Sequence, residues 1–306
     1  MKIVHSSKLR FFMSFILFIA LVGLNNVDAQ RKKKKKKKGK TEEVIKPKKP
    51  KKSITTLTKS SKKIEGLFTI FQDTVSGDLK MLIKKNQLDK DYIYFSQIAD
   101  GVTEAGKFRG AYSGSSIFHI KKYFNKIDFY VPNTSFFFDE DNPISRASEA
   151  NISDAIVSSS KILFADEKND EYLIDATGLF LSEELTRIKN PRFPGQSPLA
   201  FSLGRFDKKK SKIDEIKNYP ENTNIKTEYV FSNPSVLNGG SNAVTDGRNV
   251  SIKVFHTFMN MPENDYTIRM DDARVGYFLT ETNDMTTTST VNYRDLIHRW
   301  KLIKKD

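Results

Sequence analysis

From Ile64 onward, apolar residues recur every second position in short runs separated by turn residues. The clearest case is 249–258: Val250, Ile252, Val254 and Phe258 share one face, and Ser251, Lys253 and Thr257 lie on the other. A period of two is the mark of a strand with one buried face. Similar runs predict strands over 66–72, 79–85 and 92–98, with Ser76-Gly77-Asp78 as a hairpin turn. A second series covers 117–122, 126–131, 161–164 and 172–174, with Lys168-Asn169-Asp170 as a turn. A third covers 212–217, 224–231, 249–258 and 274–282. Ser182 followed by Glu183-Glu184 predicts a helix start, and Asn190-Pro191 its end. The pattern predicts a mainly β (α+β) protein: two packed antiparallel sheets with one or two short helices. The first three strands form a small β module over 64–101, ahead of a β-rich domain over 102–306.

The chain has 306 residues, no cysteine and a formal net charge of +14. The absence of cysteine excludes disulfides, thiolate metal sites and a cysteine nucleophile. The charge is unevenly placed. Residues 31–63 hold 17 basic residues against Glu42 and Glu43, and everything after them carries a small net negative charge. A folded body of that sign excludes a broad basic face for specific nucleic-acid binding.

Residues 1–29 read as a secretory signal. Lys2, Lys8 and Arg10 precede an apolar run over 11–24, and Val27-Asp28-Ala29 offers small residues for cleavage. Whether this segment is cleaved or serves as an anchor stays open, because the lysine run that follows is a strong positive flank. The expected location is periplasmic, cell-surface or extracellular. Residues 30–63 read as a disordered Lys-rich linker. Lys32, Lys33, Lys34, Lys35, Lys36, Lys37 and Lys38 form an unbroken run suited to an anionic cell-surface polymer or lipid. A solvated spacer is the other reading.

No constellation of catalytic residues emerges. His256 falls on the apolar face of its strand, as a satisfied core histidine does; His119 and His298 share no metal-ligand spacing. Gly39-Lys40-Thr41 lacks the upstream glycine and strand of a phosphate-binding loop. The chain stops at His298-Arg299-Trp300 and six further residues, in a run that looks structured, so a piece of a longer protein is expected.

Several blocks together resemble a known family. Gly66-Leu67-Phe68-Thr69, Asp91-Tyr92 and Ser96-Gln97-Ile98 are similar to the opening module of large secreted bacterial zinc-dependent metalloproteases. Ile174-Asp175-Ala176-Thr177-Gly178-Leu179-Phe180, Tyr219-Pro220-Glu221-Asn222 and Met261-Pro262 follow in order. Asp272-Ala273-Arg274-Val275-Gly276-Tyr277-Phe278 and Arg299-Trp300 complete the set. This order resembles the domain of unknown function that precedes the protease domain, and the resemblance spans about residues 64–303.

The resemblance implies a zinc-binding H-E-x-G-H helix in a following domain. This chain lacks that helix, so it implies no cofactor, catalytic residue or metal ligand here. The expected function is then a non-catalytic region serving as scaffold or positioning a polypeptide substrate, with a downstream peptidase domain as partner. The alternative is a stand-alone β-rich module tethered to anionic surfaces by its lysine tail. Arg269, Asp272, Arg274 and Tyr277 are the candidate contact residues. In a strand, Asp272 and Arg274 would share a face and pair, either as an internal ion pair or on a face that docks on the downstream domain.

Overall fold

The alternation at 249–258 builds strand geometry, and in the computed structural model it runs to Asn260 with every second side chain buried as far as Phe258. The structure describes residues 52–304, apart from 149, 264, 289–292, 301 and 303. The expected signal over 1–29 and the run Lys32–Lys38 lie outside the described residues. The elements in chain order begin with α1 (Ile54–Leu57), β1 (Ser61–Ile64), β2 (Thr69–Asp73), β3 (Leu79–Lys84), β4 (Asp91–Asp100), β5 (Tyr112–Tyr123) and β6 (Lys126–Val131). Next come β7 (Phe136–Phe137), β8 (Ala155–Asp166), β9 (Glu171–Asp175), α2 (Thr177–Phe180), β10 (Arg205–Phe206), β11 (Lys212–Tyr219) and β12 (Asn222–Ser232). The last are β13 (Asn249–Asn260), β14 (Leu279–Asp284) and β15 (Tyr293–Ile297).

Twelve strands form one antiparallel sheet in the order β1-β2-β3-β9-β8-β6-β5-β4-β13-β12, with both β10 and β11 pairing β12. The expectation of two packed sheets is corrected here. The twelve-residue strand β8 pairs β6 on one side and β9 on the other, and its ladders shift register near Phe129 and near Ile162. Such bulges bend a strand, so the sheet wraps around its core instead of splitting. The strands expected as a small module over 64–101 are members of this sheet, with β3 against β9 and β4 between β5 and β13.

The linker expected to reach residue 63 ends sooner. Ser53 caps α1, accepting a hydrogen bond from the Thr56 N–H, and Ile54 and Leu57 pack over Phe71, Leu82 and Leu173 on the outside of the sheet. Two apolar side chains on a capped turn are enough to anchor it.

The two ends of the sheet meet without a ladder. Asn218 Nδ2 donates to the carbonyls of Ile64 (3.0 Å) and Phe68 (2.7 Å). Thr223 Oγ1 donates to Asn218 Oδ1 (2.6 Å) and accepts from Phe68 N (3.2 Å), and Leu67 N donates to Tyr219 O (2.7 Å). Gly66 permits this approach: a Cβ there would lie 2.1 Å from Asn218 Oδ1.

The inside of the curl is filled by the segment after β9. Thr177 Oγ1 accepts from Leu79 N and donates to Leu79 O, fixing the entry to α2 against β3. Leu179, Phe180 and Ile188 are buried within the sheet. The helix expected from Ser182 does not form. The Glu183 carboxylate instead accepts from the backbone N–H groups of Ile188 and Lys189, and Thr186 reaches Ser96 and Ser113. A segment that must satisfy its backbone inside a sheet takes bends that helical hydrogen bonding would forbid.

A smaller sheet follows, in the order β15-β14-β7, with β14 parallel to β7. The strand expected over 274–282 is displaced to Leu279–Asp284, because Asp272-Ala273-Arg274-Val275 closes as a turn by a Val275 N–H to Asp272 O bond (2.9 Å). Aspartate at the first turn position accepts from a following backbone N–H, and here Arg274 N donates to Asp272 Oδ1 (3.0 Å).

Candidate functional site

β4 begins, and β13 ends, beside the turn that joins β11 to β12. Register makes this a single rim: Asn222 stands opposite Met259, and Asn260 opposite Tyr92. Proline closes two of the approaches, Pro220 in the turn and Pro262 after β13, where a missing N–H ends pairing. The result is an open groove of about 900 Å³. Asp91, Glu221 and Glu263 supply its carboxylates, Lys90 a cation, and Ile93, Met259, Met261 and Pro262 its apolar lining.

Its polar groups are partly fixed. Asn260 Nδ2 donates to Glu221 Oε2 (2.7 Å) and Asn260 N to Glu221 O (3.0 Å), so Glu221 is held in place. Asp91 pairs with His119 Nδ1 at 2.7 Å. Thioethers are flexible and polarisable, and such a lining adapts to varied side chains. Among the described residues, no group of three His, Asp or Glu is placed to hold a metal ion.

Three of the blocks singled out in the sequence, at Asp91-Tyr92, Glu221-Asn222 and Met261-Pro262, line this groove. Others serve the fold: Gly66 and Phe68 the seam, Thr177 to Phe180 the interior. The groove as a unit leaves no motif in the sequence. Its signal is the placement of Pro220 and Pro262 beside strand ends that register brings side by side.

The Asp272–Arg274 pair forms, with Arg274 Nε at 2.8 Å and Nη2 at 2.6 Å from the two carboxylate oxygens. It spans a turn and lies at the surface, where the Arg274 side chain is 86% exposed. The guanidinium, aided by the Arg274 N–H, holds the Asp272 carboxyl down to about 2. Arg269 contributes its backbone carbonyl to Ile297 N, and Tyr277 is exposed beside Val275 and Phe278. The four candidate residues therefore sit on the smaller sheet and its flanks, in a different place from the groove.

His256 is fully buried on the inward face of β13. Tyr229 Oη donates to Phe180 O (2.7 Å), which leaves it to accept from His256 Nε2–H (2.8 Å), and Tyr94 Oη donates to Nδ1 (2.8 Å). Burial lowers the imidazole pKa to about 3 and raises both phenols above their ordinary value, so all three groups are neutral. The expected core histidine is what the structure contains.

No helix among the described residues is long and apolar enough to cross a membrane. No curated protein and no solved structure matches the chain. Residues 110–305 match the family described as Domain of unknown function (DUF5117). With about two thirds of its length inside that match, the chain belongs to the DUF5117 family.

Proposed function

We propose that the chain is the non-catalytic amino-terminal region of an exported zinc-dependent metalloprotease-like protein. In this reading it is a scaffold whose rim groove positions a polypeptide substrate for a downstream peptidase domain, which holds the zinc. The observation that carries it is the convergence of three resemblance blocks on one open groove with an apolar lining and carboxylate walls. An extended polypeptide with basic side chains matches that surface in shape and charge. The exposed apolar residues of the smaller sheet offer a place for the following domain to pack.

The test is fluorescence anisotropy with a labelled, unfolded, lysine-rich polypeptide and the full chain. Binding at micromolar concentration is expected, weakened about tenfold by the paired change Glu221→Gln and Glu263→Gln. Affinity unchanged in that variant removes the groove from the reading. Zinc-dependent cleavage of the polypeptide by the purified chain overturns the non-catalytic assignment.

A further inference from the structure

The hairpin joining β5 to β6 ends on an aromatic tip. Tyr123 pairs with Lys126, and Phe124-Asn125 is the two-residue turn between them. Phe124 sits at φ +48°, in the region where a two-residue hairpin turn normally carries glycine or asparagine. A bulky side chain there is strained, and it gains nothing from burial: Phe124 is 77% and Tyr123 59% exposed. The two rings pack edge to face at 4.8 Å and project together.

Lysines surround this tip. Lys121, Lys122 and Lys126 flank it on the same hairpin, and Lys161 of β8 stands opposite Lys126. Three of them lie over rings, with Lys126 Nζ 5.4 Å from the Tyr123 ring centre, Lys122 Nζ 5.6 Å from that of Tyr172 and Lys121 Nζ 5.0 Å from that of Tyr130. Among the described residues, Lys121, Lys122 and Lys161 have no ion-pair partner, whereas Lys126 pairs with Asp128.

We propose that this tip inserts into the interface of an anionic lipid bilayer, rings at headgroup depth and lysines on the phosphates. Aromatic rings settle at that depth, and lysines extend apolar stems while keeping their charge with the headgroups. Tyr123 and Phe124 stand exposed at the end of the hairpin with the lysines on the strands behind them, an arrangement that a bilayer accepts as a probe. The positive collar complements an anionic leaflet. This assignment is independent of the peptidase reading, and it adds a folded contact to the Lys-rich segment of the same chain, which alone would hold a membrane only by charge.

A site-specific probe separates the tip from that segment. In the full chain, Trp300→Phe removes the single tryptophan and Phe124→Trp places one at the tip. Vesicles of phosphatidylglycerol and phosphatidylcholine should shift its emission to the blue, and lipids brominated on the acyl chain should quench it; pure phosphatidylcholine should do neither. Phe124→Gly, which relieves the positive φ and so preserves the fold, should weaken partitioning into the anionic vesicles about tenfold. Emission from the introduced tryptophan that stays unchanged on vesicles the chain binds overturns the proposal. So does a response to dextran sulfate without one to vesicles, or a Phe124→Gly variant that partitions as the parent does.

Discussion

The curled sheet and the smaller sheet use aromatic residues in opposite ways. In the first, Phe258 is buried against Phe68, Tyr94, Phe118 and Phe180, with ring centres 5.2 to 6.3 Å apart. Beside the second, Phe278 is 88% and Trp300 90% exposed, although Phe278 adjoins an apolar run from Val275 to Leu279. Apolar alternation therefore reports the capacity to be buried; a neighbouring layer decides whether burial happens. The curled sheet supplies that layer by wrapping on itself. Three short strands cannot, and their apolar side chains remain available to something else.

The strongest way to break the contrast is to remove β1–β4. The family match begins at residue 110, yet β4 lies between β5 and β13, and β3 covers β9. A fragment of residues 110–306 should show no cooperative unfolding transition in urea, whereas residues 52–306 should show one. Next in size is a pair of truncations. Phe258→Ala should cost about 3–5 kcal/mol in chemical denaturation, and Phe278→Ala less than about 0.5 kcal/mol.

The third is a pH series. Unfolded, His256 binds a proton below about pH 6.5, its ordinary value, but in the folded protein only near 3. The unfolded state binds more protons across that window, so the stability present above pH 6.5 falls as pH drops, by about 1.4 kcal/mol per unit from this group. Urea midpoints between pH 7 and 5 should show that slope, and His256→Gln should flatten it. The last prediction concerns the seam. Gly66→Ala should displace Asn218 and lose about 1–3 kcal/mol, with hydrogen exchange rising first at Phe68 and Leu67.

Strand positions are legible because period-two burial is local: the pattern over 126–131 gives β6 to the residue, and that over 249–258 falls short of β13 only by its last two positions. The burial of His256 follows from the same periodicity. Sheet count is not legible, since whether β8 ends one sheet or bends within it depends on bulges that pairing partners decide. The helix expected at Ser182 fails because capping residues describe a local preference, which the interior of the sheet overrides through Glu183 and Thr186. The Asp272–Arg274 pair forms for a reason other than the expected one, a turn replacing a strand. The groove is illegible as a whole because its first segment lies more than a hundred residues before the other two and the three are joined only by register.

The seam also governs when the protein becomes itself. Its hydrogen bonds join residues 150 to 155 positions apart. Closing loops of that length is entropically costly before any contact compensates, so folding of this topology is slow. During synthesis β1 and β2 emerge early and wait, their edge uncovered, until the chain has passed Thr223. A nascent protein of this kind is vulnerable for most of its own making, and any factor that shields the Ile64–Phe68 edge in that interval would act on yield and leave the finished stability untouched.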